Sequence, residues 1–322
     1  MNLRDASAAS ADRPIGSAPN AYRPIGSAPN ADRPIGSAPN ADRPIGVFDS
    51  GVGGLSVLRA LQAELPHEHF VYFADTAHAP YGERGDDYVA ERTLAVAHEL
   101  IGTHGIKALV VACNTATAAA VHLLRAQWPA LPVVGLEPAL KPAVAASRTG
   151  HIAVLATRGT LASAKFGRLH EALRGQAQFR LVPCDGLADA IERDDAIKTG
   201  ALCARHMGAA GPFGLQAGEV DTVVLGCTHY PFAAPLLQAH APEGVRFIDT
   251  GVPVALHTRR VLAAQGLLSG APASAPGLTL RGSADLAHLQ AAAARWLAPS
   301  APSLPKVSVS APLSAGAAVA GR

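Results

Sequence analysis

No two of the four cysteines in this 322-residue sequence stand close enough to form a C-x-x-C pair; they fall at Cys113, Cys184, Cys203 and Cys227. That spacing argues against a disulfide framework or a zinc knuckle and fits a reducing compartment. Aromatic residues make up only 5% of the chain although 49% is hydrophobic, so the core must be built mainly from Ala, Val and Leu. Such a composition suits helices packed closely on a parallel sheet better than an aromatic-rich β-sandwich. Neither charge sign dominates: the net charge is +2, and no basic block gives the footprint of a nucleic-acid binder. No apolar run approaches a membrane span, and the N-terminus lacks the apolar core of a secretory signal. The expectation is a soluble, cytoplasmic protein with room for two ordinary domains.

What is present is repetition on two scales. Residues 11–40 are three tandem decamers, Ala-Asp-Arg-Pro-Ile-Gly-Ser-Ala-Pro-Asn with Tyr22 replacing Asp in the second, and a fourth copy runs from Ala41 to Gly46. Units this rich in Pro, Gly, Ser and Asn bury too little to offset ordering, so residues 1–43 are expected to form a disordered arm with no catalytic role. The Ala/Pro/Ser tail at 298–322 is read the same way, with Val307 and Val309 leaving room for a short edge strand.

The larger repeat is architectural. Strands are predicted at Ile45–Phe48, Phe70–Phe73, a run ending at Cys113, and Leu131–Leu136, with helices at Leu55–Leu65, Asp86–Gly105 and Ala116–Gln127 between them. The pattern restarts at Ile152–Leu155 and continues through Phe179–Val182, Val223–Leu225 and Phe247–Ile248, with helices at Leu161–Leu173 and Leu187–Ile197. Helices near Val252–Gln265 and Ala284–Leu297 close the series. This is the order of α/β doubly wound parallel sheets, two of them.

Each half carries one cysteine at the end of an apolar strand: Ala-Leu-Val-Val-Ala-Cys-Asn-Thr-Ala-Thr at 108–117 and Thr-Val-Val-Leu-Gly-Cys-Thr-His-Tyr-Pro at 222–231. With Asn114 or Thr115 as N-cap, the helix start beside Cys113 is expected to favour a thiolate. Cys184 and Cys203 read as small buried hydrophobes. A single nucleophilic thiol would need a base, and a redox pair would need disulfide proximity. Two thiols facing each other across a cleft suit a third task, moving protons on opposite faces of one carbon. Pseudo-symmetric domains would supply that cleft. Asp49, near Cys113, and His229, near Cys227, are candidate proton partners. Ser50, Asn114, Thr115, Thr228 and helix N-terminal N–H groups are candidate carboxylate ligands. Thr157 and Thr160 stand at a polar strand end where a helix cap is the plainer reading. Gly51, Gly53 and Gly54 follow a strand, but Ser56 occupies the place of the third glycine in G-x-G-x-x-G, which weakens a dinucleotide reading.

Five segments then carry a resemblance: Gly-Val-Phe-Asp-Ser-Gly-Val-Gly-Gly-Leu-Ser (46–56), Asp-Thr-Ala-His-Ala-Pro-Tyr-Gly-Glu-Arg (75–84), Ala-Cys-Asn-Thr-Ala-Thr (112–117), Glu-Pro-Ala (137–139) and Gly-Cys-Thr-His-Tyr-Pro (226–231). In order and register across roughly 44–297, they resemble the glutamate racemases of the cofactor-independent aspartate/glutamate racemase family. The resemblance implies interconversion of L- and D-glutamate without metal, pyridoxal phosphate or nucleotide, feeding D-glutamate into peptidoglycan. It implies that Cys113 deprotonates D-glutamate and Cys227 L-glutamate, assisted by Asp49 and His229 respectively. Substrate contacts would come from Asp49, Ser50, Tyr81, Gly82, Asn114, Thr115, Thr157, Thr160, Thr228 and His229. Glu192 matches an acidic residue beside the site, although Cys184-Asp185-Gly186 before it departs from the family's Cys-Pro. The family's chain path implies domains of 44–137 with 252–297 and of 138–251, with the active site between them. Alternatives are a racemase for aspartate or another amino acid and a non-catalytic nucleotide-binding α/β protein. A homodimer is left open.

Overall fold

The computed structural model describes residues 41–270, 277–284 and 286–298. The first three decamers, the tail from 299 onward and the suggested strand at Val307–Val309 lie outside the described residues. The first half comprises β1 (Ile45–Asp49), α1 (Leu55–Glu64), β2 (Phe70–Ala74), α2 (Asp86–His104), β3 (Ala108–Val111), α3 (Asn114–Gln127), β4 (Val133–Gly135) and α4 (Leu140–Ala146). Next come β5 (His151–Ala156), α5 (Arg158–Ala162), α6 (Ala164–Glu171), β6 (Gln178–Pro183), α7 (Leu187–Glu192), α8 (Ala196–Ala210), β7 (Thr222–Leu225), α9 (Ala234–Gln238) and β8 (Arg246–Ile248). The described residues close with α10 (Gly251–Ala264), β9 (Leu278–Gly282) and α11 (Leu286–Trp296).

Every strand pairing is parallel. The first sheet has the order β4-β3-β1-β2-β9 and the second β6-β5-β7-β8. Apart from β9, the two orders are the same, with β5, β6, β7 and β8 standing where β1, β2, β3 and β4 stand. In each sheet the chain leaves its first strand to one side and returns on the other. The crevice past the C-terminal ends of β1 and β3, and of β5 and β7, is therefore a switch point, where ligands bind in open α/β sheets.

The strands are continuous apolar runs because both faces are covered. Side chains alternate between faces: Ile45, Val47, Tyr72, Ala108 and Val110 face one core, and Phe48, Val71, Phe73, Leu109 and Val111 face the other. The first of these cores runs on into Leu155, Val223 and Leu225 of the second sheet and takes in Val254 and Leu262 of α10 and Leu289 of α11. At the opposite end of the first sheet from the crevice, Lys107 and Glu68 form a buried ion pair, Nζ to Oε2 2.5 Å, with Lys107 fully buried. Lys107 also donates to the carbonyl of Ala41, and Glu68 Oε1 accepts the N–H of Ser269 at 2.9 Å.

Four expectations are corrected. The helix predicted at Leu161–Leu173 is two, α5 and α6, because extended Ser163 interrupts it and caps the second through the N–H of Phe166. The helix predicted at Leu187–Ile197 also divides: α7 stops at Glu192, Asp194 adopts φ +57°, and Asp195 caps α8 through the N–H of Lys198. Helix α4 is not among the predicted helices. Nor is β9 among the predicted strands, although Leu278-Thr279-Leu280-Arg281 carries the alternation of a half-buried edge strand. Among the described residues, no helix is long and apolar enough to cross a membrane.

Candidate active site

The two switch points share one cavity of about 480 Å³. From the first sheet's half it is lined by Ser50, Thr76, Tyr81, Gly82, Cys113, Asn114 and Thr115, and from the second by Thr157, Thr160, Glu192, Cys227, Thr228 and His229. Both strand-end cysteines thus line the same space, each less than a tenth exposed.

Around Cys113 the local structure differs from expectation. Neither Asn114 nor Thr115 caps α3; Cys113 does, its Sγ accepting the N–H of Ala116 at 3.4 Å. The helix start does not leave Cys113 ionised. Burial pushes its thiol up to about 12, with the charge of Asp49 acting in the same direction, and the Ala116 N–H offsets only part of this. Cys113 Sγ lies 3.8 Å from Ser50 Oγ as a donor, and Ser50 Oγ lies 3.5 Å from Asp49 Oδ1. Asp49 is fully buried and does not line the cavity. Its Oδ1 accepts the N–H of Gly51 at 2.7 Å, and its Oδ2 accepts the hydroxyl of Thr228 at 2.9 Å. Burial raises its carboxyl to about 6, more than the charge of His229 and the hydrogen bonds lower it. Asp49 therefore reaches the cavity only through Ser50 and Thr228, one beside each cysteine.

Cys227 is not a helix cap. A 3-10 turn at Tyr230–Ala233, with Pro231 in its first turn, takes the place of a long helix, so the second cysteine loop echoes the first in position but not in backbone. Cys227 Sγ is 3.7 Å from His229 Nδ1, and His229 Nε2 is 2.6 Å from Glu192 Oε2. Glu192 also accepts the N–H of Val52, at 2.9 Å to Oε2 and 3.2 Å to Oε1. Burial alone would depress the imidazole of His229, but its hydrogen bonds to Cys227 and Glu192 and their charges raise it well above the ordinary histidine range. Burial pushes Glu192 up, and the bond and charge of His229 more than reverse that, leaving its carboxyl below the usual value.

These contacts explain two glycines of the β1–α1 loop. A Cβ on Gly51 would collide with the carboxylate of Glu192, and a Cβ on Gly53 with the ring of His229 and, at 2.7 Å, with Thr228 Oγ1. The space that would have to cradle a phosphate in a dinucleotide site is filled by side chains of the second sheet's half.

The remaining predicted residues converge on the cavity. Thr115 Oγ1 is 3.2 Å from Thr157 Oγ1 and 3.5 Å from Thr160 Oγ1, and Thr157 Oγ1 donates to Thr160 Oγ1 at 2.9 Å. Thr157 is at the same time the cap of α5 and a residue of the cavity wall. Tyr81 is held by its hydroxyl, which donates to Asp75 Oδ2 at 2.6 Å, and Asp75 is held in turn by both Nε and Nη2 of Arg92. The amide of Asn114 is buried, and neither Oδ1 nor Nδ2 has a partner among the described residues. Thr76, Asp189, Arg193 and His288 also line the cavity and were missed. Thr76 lies in the polar loop at 74–82, which is the one available signal; Asp189 and His288 sit on helices and Arg193 just past the end of α7, where only the fold reveals what meets the cavity.

A model of the Asp/Glu/hydantoin racemase family matches residues 45–258. A glutamate racemase of Stutzerimonas stutzeri is 49% identical over 228 residues, covering 71% of this chain and 85% of that protein. Among solved structures, a glutamate racemase isoform from Bacillus anthracis superposes with a TM-score of 0.71 at 27% identity, over 84% of this chain and 99% of that one. The Escherichia coli glutamate racemase, solved with L-glutamate and the activator UDP-MurNAc-Ala, gives 0.65 at 30% identity, over 77% and 92%. With both switch points opening on one cavity and this likeness running through most of its length, the chain belongs to the Asp/Glu/hydantoin racemase family.

Proposed function

We propose that this protein is a glutamate racemase working by two-base proton transfer, with Cys113 and Cys227 on opposite sides of the substrate α-carbon. The observation that carries the reading is that the two cysteines line one cavity from equivalent strands of two sheets. On this reading the sheets belong to two domains, 44–137 with 252–297 and 138–251, that meet at the cavity. Every group named comes from one chain. Its relatives bear the name of an enzyme acting on glutamate, and glutamate is the substrate assigned here, made in the cytoplasm into D-glutamate for peptidoglycan.

The asymmetry of the two networks supports a direction for the resting state. A protonated His229 stands 3.7 Å from Cys227 Sγ, whereas Cys113, raised to about 12, keeps its proton. Cys227 would then remove the α-proton of L-glutamate, and Cys113 would next deliver its own to the opposite face. Asp49, at about 6, would take up or return the proton of Cys113 through Ser50. The unpartnered amide of Asn114 matches an amino acid at both ends, its NH2 donating to a carboxylate and its oxygen accepting from an ammonium group. An unpaired buried polar group costs about 1–3 kcal/mol, which substrate contact would recover.

The test is hydrogen exchange in D2O with cofactor-stripped protein. L-Glutamate should lose its optical rotation while deuterium enters the product enantiomer at Cα ahead of the recovered substrate, and aspartate should react far more slowly. No exchange with either enantiomer of glutamate would sink the assignment. A second check uses the glycine loop: Gly53→Ala, which forces His229 and Thr228 aside, should lower kcat/KM by about a hundredfold and the thermal midpoint by about a few degrees.

A further inference from the structure

Helix α11 also brings an ionisable side chain to the cavity wall. His288, in the first turn of α11, is 48% accessible, and its Nε2 lies 3.9 Å from Glu192 Oε1. The other oxygen of the same carboxylate, Oε2, is the one 2.6 Å from His229. Glu192 thus faces two imidazoles, one against Cys227 and the other reaching in from α11. Helix α11 is well anchored for this. Trp296 stacks on Phe232 with ring centroids 4.2 Å apart, Arg295 pairs with Asp194 Oδ1 at 2.8 Å, and Leu289 is buried in the core.

The setting explains why such a contact would matter. Glu192 is the last residue of the six-residue helix α7, and the next residues turn sharply through Asp194. The terminal torsion of a glutamate is broad, so nothing in α7 itself aims Oε2 at His229. Two groups from outside hold it: the Val52 N–H, after the first strand, and His288, after the last. Elements connected to the first sheet thereby orient the acid–base partner of the cysteine that follows β7.

We infer that His288 is a positioning residue for Cys227: by holding Oε1 it commits Oε2 of Glu192 to His229 and so keeps the imidazole aligned on the thiol. The inference rests on the racemase reading. His288 Nε2 and Glu192 Oε1 stand 3.9 Å apart, and contacts of this kind tighten in substrate complexes. His288 touches neither reacting atom. Its loss raises the barrier for proton transfer at Cys227 and leaves transfer at Cys113 as it was.

Full-length His288→Ala and His288→Gln proteins test this. Because both directions share one equilibrium constant, kcat/KM should fall equally for L- and D-glutamate in His288→Ala, by about tenfold, less than the roughly hundredfold of a group touching the reacting atoms. His288→Gln, which still offers an N–H to Oε1, should lie within about threefold of the parent. The decisive readout is the primary isotope effect on kcat/KM. With 2-deuterated L-glutamate, whose bond Cys227 breaks, it should rise in His288→Ala; with 2-deuterated D-glutamate, whose bond Cys113 breaks, it should fall. Unchanged kinetics, a glutamine variant as slow as the alanine variant, or isotope effects that move together would overturn the inference. Failure of the parent protein to racemise glutamate would instead overturn the function.

Discussion

Cys227→Ala and Cys113→Ala are each expected to abolish measurable racemisation, a loss of roughly 10³–10⁴-fold or more, yet to leave different residual chemistry. In Cys113→Ala the Cys227–His229–Glu192 group is intact, so L-glutamate should still exchange its α-hydrogen for deuterium, with retention, because nothing delivers a proton to the other face. In Cys227→Ala the Cys113–Ser50–Asp49 group should do the same for D-glutamate. Deuterium incorporation read by NMR, with configuration read on a chiral column, checks both. A single variant that remained fully active would remove the two-base mechanism, and exchange of both enantiomers by one variant would mean that a single thiol serves both faces. The structure makes the pair unequal. Cys227 has a charged partner within 3.7 Å, while Cys113 is linked to its carboxylate only through Ser50, so the D-specific exchange of Cys227→Ala should be the slower of the two.

The largest effect on stability is expected far from this chemistry. Removing one member of a buried ion pair leaves the other charge without compensation, at a cost of about 3–5 kcal/mol. Lys107→Ala should lower the stability of the fold by about that amount, a large part of the roughly 5–15 kcal/mol of an ordinary domain. Lys107 and Glu68 are both buried, and between them they hold the backbone at Ala41 and at Ser269. A double replacement, Lys107→Met with Glu68→Leu, should recover most of the loss, since an apolar pair of similar volume often matches a buried salt bridge. Urea unfolding midpoints at constant slope measure both. Equal stability of Lys107→Ala and the parent would show that the pair contributes nothing net.

The fold was largely legible because its signals are local. Runs such as Ile45–Phe48 and Val223–Leu225 are apolar on both faces and end in polar residues, which identifies a parallel strand and its ligand-facing end together. The structure departs from the local pattern where one side-chain cap decides the outcome. Ser163 and Asp195 each cap a helix in the middle of what reads as one periodic segment, and capping depends on a side-chain geometry that composition does not reveal. The glycine loop is only weak evidence for a nucleotide because the sequence shows what is missing at Gly51 and Gly53, not what fills the space. Glu192 and His229 fill it, and both lie more than 130 positions away.

By itself the sequence determined the α/β class, the two strand-end cysteines and the residue types beside them, since these follow from periodicity and from polar residues met at the ends of apolar runs. Only the tertiary structure decided how those groups act. It buried Cys113 so that desolvation outweighs the helix N-terminus. It placed Asp49 behind Ser50 and Thr228 rather than on the cavity wall, and it joined Glu192, His229 and Cys227 into one line. The reason is physical: a pKa and a hydrogen bond depend on what surrounds a group in space, and that surrounding comes from segments the local pattern does not connect.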